Sequence, residues 1–125
     1  MIASYRDLAV WQRAMELAAL VYKLTARLPR EEIYGLSSQL QRAAVSIPSN
    51  IAEGHAREST KEYLRYLLVS RGSMAELETQ LLLCQKLQLL SKEDVEHALI
   101  VSHEIGRMIR GLQKSLTKKL NKKSA

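Results

Sequence analysis

The stretch from Leu36 to His55, LSSQLQRAAVSIPSNIAEGH, decides the fold class. Leu36, Leu40, Ala43, Ala44, Ile47 and Ile51 recur at three- and four-residue intervals, the spacing that places side chains on one face of an α-helix. A helix from about Ser37 to about His55 is therefore expected, after a connection, Arg30 to Leu36, that contains Gly35. Pro48 falls inside it. Its ring removes one backbone donor and crowds the carbonyl of Ala44, at a cost of about 3 kcal/mol unless the axis bends, so a kink is expected there. Beside the apolar stripe, Gln39, Arg42, Ser46, Asn50, Glu53 and Arg57 share one arc, with Ser73, Glu76 and Gln80 of a later segment available as counterparts. Such a polar ladder either satisfies backbone donors and fixes helix register, or lines a groove for a ligand or partner.

Working outward, Leu8 to Leu28 contains neither Gly nor Pro, with Asp7 placed to cap its start and Pro29 to stop it. This first helix is apolar over most of its circumference. Trp11, Met15, Ala18 and Tyr22 are expected to face the core, leaving Val10, Leu17, Leu24 and Leu28 in need of further cover, either because the helix is well buried within the bundle or because it makes a subunit contact. Ser59-Thr60-Lys61-Glu62 has the form of a capping box and opens a third helix that can run to Gln88. Its two stripes are Tyr63, Tyr66, Leu67, Met74, Leu77, Leu81 and Cys84 on one side, and Leu64, Ala75, Leu82 and Leu89 on another. Ser91-Lys92-Glu93-Asp94 starts a fourth helix whose seam is Val95, Leu99, Ser102, Ile105, Ile109, Leu112, Leu116 and Leu120, with its last turns fraying into lysines.

Four helices with short connections make an all-α, antiparallel up-down-up-down bundle the economical architecture. The length of 125 residues fits one such domain, with a basic tail from about residue 114. Two Pro and five Gly argue against a turn-rich β chain or a disordered one. No apolar run approaches the roughly 20 residues of a membrane span. A single cysteine and no leader-like N-terminus imply a cytoplasmic protein.

Charge is distributed unevenly. Seven of the 19 basic residues, Arg107, Arg110, Lys114, Lys118, Lys119, Lys122 and Lys123, follow residue 106 with no acid among them, while the preceding chain is close to neutral. This set would engage phosphates of RNA or DNA electrostatically, without base stacking, or else serve solubility at a helix C-terminus.

Little in the sequence suggests an enzyme. Asp94-Val95-Glu96-His97 offers one isolated Asp-x-x-His, short of the inward carboxylate and histidine sets that hold metals in bundles, so no metal is expected, nor a ligand role for His55 or His103. Cys84 follows Leu81-Leu82-Leu83, an apolar setting that raises a thiol pKa. The glycines are too scattered for a phosphate-binding loop, and no cofactor is implied.

Tyr5-Arg6-Asp7-Leu8 with Val10-Trp11, then Tyr34-Gly35-Leu36, Gln39-Leu40 and Arg42-Ala43-Ala44, and above all Ser46-Ile47-Pro48-Ser49-Asn50-Ile51-Ala52-Glu53-Gly54, resemble the four-helix-bundle proteins first noticed as reading frames in intervening sequences of bacterial 23S ribosomal RNA. Glu62-Tyr63, Gly72-Ser73 and Glu76-Leu77-Glu78 extend the resemblance to about Leu90. It implies a cytosolic homopentamer, a ring that would use the surplus apolar faces of the first and third helices. It also implies kinship with the accessory protein of diversity-generating retroelements, which partners a reverse transcriptase and binds nucleic acid through a basic surface. No catalytic role travels with the signature. Two functions are thus expected in competition: a non-enzymatic nucleic-acid-binding accessory protein, and a protein-only adaptor that docks a partner.

Overall fold

A computed structural model describes residues 4–124, with side chains described as far as Lys122. After a 3-10 turn at Tyr5–Asp7, four helices follow: α1 (Ala9–Thr25), α2 (Leu36–Ala56), α3 (Thr60–Lys86) and α4 (Lys92–Ser124), with a second 3-10 turn at Arg30–Glu32 between α1 and α2. There is no strand among the described residues. Each helix packs on its neighbours in sequence, and α1 closes against α4, while the backbones of the diagonal pairs stay farther apart among the described residues. Cross-helix partners run in opposite senses. Arg13 meets Glu104 at 2.9 Å and Arg27 pairs with Asp94; Ser46 meets Ser73 at 2.8 Å; Ser102 meets Glu78 at 2.6 Å. The bundle is therefore antiparallel throughout, as expected.

The core is built from Leu17, Val21 and Leu24 of α1, Leu40, Ile47 and Ile51 of α2, Leu67, Leu77 and Leu81 of α3, and Val95, Ile105 and Ile109 of α4. This corrects the expected orientation of α1 in part: Ala18 is buried and Trp11 packs half-buried against the core as expected, but the rest differs. Val10, Leu17, Leu24 and Leu28, expected to need further cover, are buried within the single chain, whereas Met15 and Tyr22 are 46% and 48% exposed. The side of α1 bearing Trp11, Met15 and Tyr22 instead borders α2 as an open cleft.

Local chemistry sets the helix ends. Asp7 does not cap α1: it belongs to the preceding 3-10 turn, whose first amide bonds go to Ser4, and Leu8 takes the cap position without a side-chain bond. Ser59 does cap α3, accepting from the Glu62 amide at 3.2 Å, but the Glu62 carboxylate turns to the Arg65 guanidinium instead of completing a box. Ser91 caps α4 by accepting from the Asp94 amide at 3.1 Å. At the far end of α3, Gln88 adopts φ 61°, and the amides of Gln88 and Leu89 bond to the carbonyls of Gln85 and Cys84. This is a Schellman ending with a glutamine where glycine is usual, and it stops the helix two residues before the expected Gln88.

Helix α2 runs through Pro48 without interruption. Lacking an amide hydrogen, Pro48 leaves the Ala44 carbonyl without its i+4 donor. One residue earlier, the Ile47 carbonyl accepts from the buried Ser70 hydroxyl at 2.9 Å, which ties α3 to α2 at the proline.

The end of α4 differs from expectation. It stays helical to Ser124, since lysine and leucine are good helix formers. Because α1 begins at Ala9, opposite the region of Glu104, the last turns of α4 have no α1 beside them. Half-buried Leu112 and Leu116 carry the seam on against the core, and Arg71 of α3 donates to Gln113 at 3.3 Å.

Candidate nucleic-acid interface

Four-residue steps advance an α-helix by about 6 Å and keep side chains near one face. Arg107, Arg110, Lys114, Lys118 and Lys122 follow such steps, so they form a row about 22 Å long on the side of α4 turned away from the core. All five are exposed, as is Lys119, which lies on the flank nearer the apolar seam. None of the six takes a carboxylate partner among the described residues. The side chain of Lys123 lies outside the described residues. The acids of α4, Glu93, Asp94, Glu96 and Glu104, all precede Arg107. The row therefore begins where the negative charge of its own helix ends.

A cation that sequence reading did not single out adjoins this row. Arg71 of α3 shares with Arg110 a cleft of about 150 Å³, also lined by Met74, Ala75, Glu78 and Gly106. Only the antiparallel register of α3 and α4, worked out residue by residue, would have signalled it. At the start of α3, Arg57 and Arg65 each lie 5.1 Å from the centre of the Tyr66 ring, and Arg57 donates to the Tyr66 hydroxyl at 2.7 Å. These cation–π contacts fix two further guanidinium groups at that end of the bundle.

The polar ladder divides. Ser46 and Ser73 share a hydrogen bond, and Asn50 donates to both the hydroxyl and the carbonyl of Ser46, at 2.9 and 2.8 Å. Gln80 reaches Gln39 at 3.4 Å, with its own carbonyl oxygen buried and unpartnered. Arg42, Glu53 and Glu76 are exposed and stand outside this set. Ser46, Asn50 and Ser73 thus lock α2 to α3, while Arg42 edges a cleft of about 450 Å³ with Tyr22, Ser38, Gln41 and Val45. A second cleft of about 350 Å³ continues along the same α1–α2 groove past Trp11, Met15, Val45 and Pro48.

Other reactive groups are spoken for. Cys84 is buried, and desolvation pushes its thiol pKa up, with Glu32 adding a smaller push in the same direction. Burial likewise raises Tyr63, whose hydroxyl is without a partner among the described residues. Asp94 pairs with Arg27, and His97 points to solvent, so the Asp-x-x-His spacing does not converge. No described helix is long and apolar enough to cross a membrane.

Residues 6–111 match a family described as 23S rRNA-intervening sequence protein. No curated protein matches the chain. The chain is similar in fold to a crystal structure from Bacteroides thetaiotaomicron, a protein with unknown function from the S23 ribosomal protein family. The two agree with a TM-score of 0.79 at 23% identity, over 85% of this chain and 99% of that one.

Proposed function

From the premise that this chain belongs to the 23S rRNA-intervening sequence protein family, we propose that it is a non-enzymatic, cytoplasmic, ring-forming bundle that binds RNA or DNA through the basic face of α4, as an accessory to a larger nucleoprotein. The observation that carries this reading is the set of exposed α4 cations with no carboxylate partner among the described residues. Cations left unneutralised by their own protein release condensed counterions when they meet phosphates, which favours association at low salt. A reverse transcriptase is the protein partner this reading favours, because such an enzyme holds nucleic acid that a basic accessory surface can share.

The proposed ring has five copies. Two apolar surfaces remain open on the single chain: the α1–α2 groove at Trp11, Met15, Tyr22 and Val45, and the outer face of α3 at Leu68, Leu82 and Leu83. They are different surfaces, so docking one into the other is head-to-tail, a contact that makes a ring when the rotation between copies closes and a filament when it does not. The reading includes a bend of α2 at Pro48, which would shape the wall of that groove.

The test is fluorescence anisotropy with labelled RNA across a salt series. Wild type is expected to bind at low salt with a steep log–log salt dependence, and a Lys114→Gln, Lys118→Gln, Lys122→Gln variant to lose most of the affinity. Absence of binding at low salt would remove the nucleic-acid reading. The α1–α2 groove with Arg42 at its edge then supports the second one, a protein-only adaptor, tested by whether a partner stays bound after nuclease treatment.

A further inference from the structure

We infer that α4 presents its cations as a rigid ruler for the backbone of a double-helical nucleic acid, and not as a flexible tail or a platform for unpaired bases; this rests on the proposed reading of α4 as a polyanion-binding surface. Three observations converge on it.

First, the cations are held on a continuous helix. The backbone remains helical to Ser124, the half-buried Leu112 and Leu116 pack against the core, and Gln113 accepts from Arg71 of α3. Arg107, Arg110, Lys114, Lys118 and Lys122 therefore keep fixed spacings of about 4.5–6 Å along a line of about 22 Å. Arg71, bonded to Gln113 on the adjacent helix, sets a sixth cation beside the row and widens it from a line to a strip.

Second, the strip lacks the chemistry that unpaired strands need. Proteins that hold single strands stack successive bases on aromatic rings. Helix α4 contains no Phe, Tyr or Trp. Near the start of α3, Tyr66 has Arg57 and Arg65 packed against its ring and Tyr63 is half-buried, edge-on to His55; Tyr5 and Trp11 are half-buried edge-on to each other at the start of α1, and the fully exposed Tyr34 lies between α1 and α2, at the opposite end of the bundle. A duplex hides its bases and offers phosphates at regular intervals on a stiff axis, which a stiff row of cations can meet without ordering either partner.

Third, the strip is bounded. Glu78, which accepts from Ser102, and Glu104, which pairs with Arg13, occupy the bundle on the N-terminal side of Arg107. They would repel a backbone that ran past the row, so the contact is confined to about two-thirds of a duplex turn, the share that a row of about 22 Å covers at 34–36 Å per turn.

The experiment compares wild type with a variant of identical composition and charge, Lys114→Ser with Ser115→Lys and Thr117→Lys with Lys118→Thr. All four positions are exposed, so the bundle should fold normally, checked by circular dichroism. Binding to a 20-base-pair duplex and to a 20-nucleotide single strand is measured by anisotropy from 25 to 300 mM salt, amounts on the scale where counterion release dominates. The expected result is duplex preference by wild type, with a log–log slope near −4 per protomer at about −0.9 per phosphate. The permuted variant should lose about tenfold in duplex affinity and about two units of slope. Equal binding by the permuted variant would overturn the ruler and leave nucleic-acid binding intact. Tighter binding of the single strand would overturn the choice of duplex. Binding of neither by wild type would remove the underlying function as well.

Discussion

Gly54 closes the sequence block that most strongly marked the family, and the reason is space. A Cβ placed there would lie 2.8 Å from Tyr66 Cβ and 3.0 Å from Tyr63 Cδ1, because α2 and α3 pack closely at this point. Its φ is negative, so a left-handed turn is not what requires glycine. Gly54→Ala should therefore destabilise the bundle by about 2 kcal/mol or more, of the order found for overpacking. Gly111→Ala, where a Cβ meets nothing within 4 Å, should stabilise it by about 0.5–1 kcal/mol through helix propensity. Urea unfolding of both variants would check the opposite signs. Cys84 gives a pH prediction. Its thiol is raised by burial, so it stays protonated in the folded protein at a pH where the unfolded chain has begun to ionise, near 8.5. Stability is full below that pH and falls as pH rises above it; Tyr63, raised in the same way, adds to the loss near pH 10. Urea midpoints between pH 8 and 10 should decline, and Cys84→Ala should flatten the first part of that decline.

At the scale of elements, what ends α3 is a backbone geometry and not a residue type. Gln88 at φ 61° occupies the position that glycine fills at lower cost. Gln88→Gly is expected to raise stability by about 1 kcal/mol, read as an increased denaturation midpoint with an unchanged m-value. That ending could not be read from the sequence, because a glutamine gives no signal of a left-handed conformation. The helices themselves could be, since the apolar spacing in α2 and the serine caps of α3 and α4 are local features. The facing of α1 could not. A helix apolar over most of its circumference has no sharp polar boundary to orient it, and the face that carries Leu17, Val21 and Leu24 meets the core only through packing against the other three helices. The same limit applies to the site. Lysines spaced by four were visible in the sequence, and so was the ladder from which Ser46, Asn50 and Ser73 form a network. Arg71 beside Arg110 depends on the register between two helices, a long-range fact that no local pattern encodes.

Over the whole molecule, positive charge and open apolar surface occupy different places, and that separation makes assembly and nucleic-acid binding independently testable. The α4 row lies on one outer face, while Leu68 and Leu82, 57% and 50% exposed, lie on the outer face of α3. Exposed leucines on a helix in a small soluble protein mark a contact surface when they recur along one side. Leu68→Glu combined with Leu82→Glu should leave the core untouched, because neither side chain contributes to it, yet place two carboxylates in the proposed subunit contact. Light scattering should then fall from about 71 kDa, five copies of a 14.2 kDa chain, to the mass of one. Thermal unfolding would show that the isolated bundle is still folded. If α4 rows from neighbouring copies engage one duplex together, their effective concentration raises avidity without any new contact. The dissociated variant should therefore bind duplex at least tenfold more weakly while keeping the same salt slope per protomer. A mass unchanged by the two glutamates would place the subunit contact elsewhere than on α3. Loss of mass with unaltered affinity would mean that each bundle binds alone, so that the ring contributes nothing to recognition.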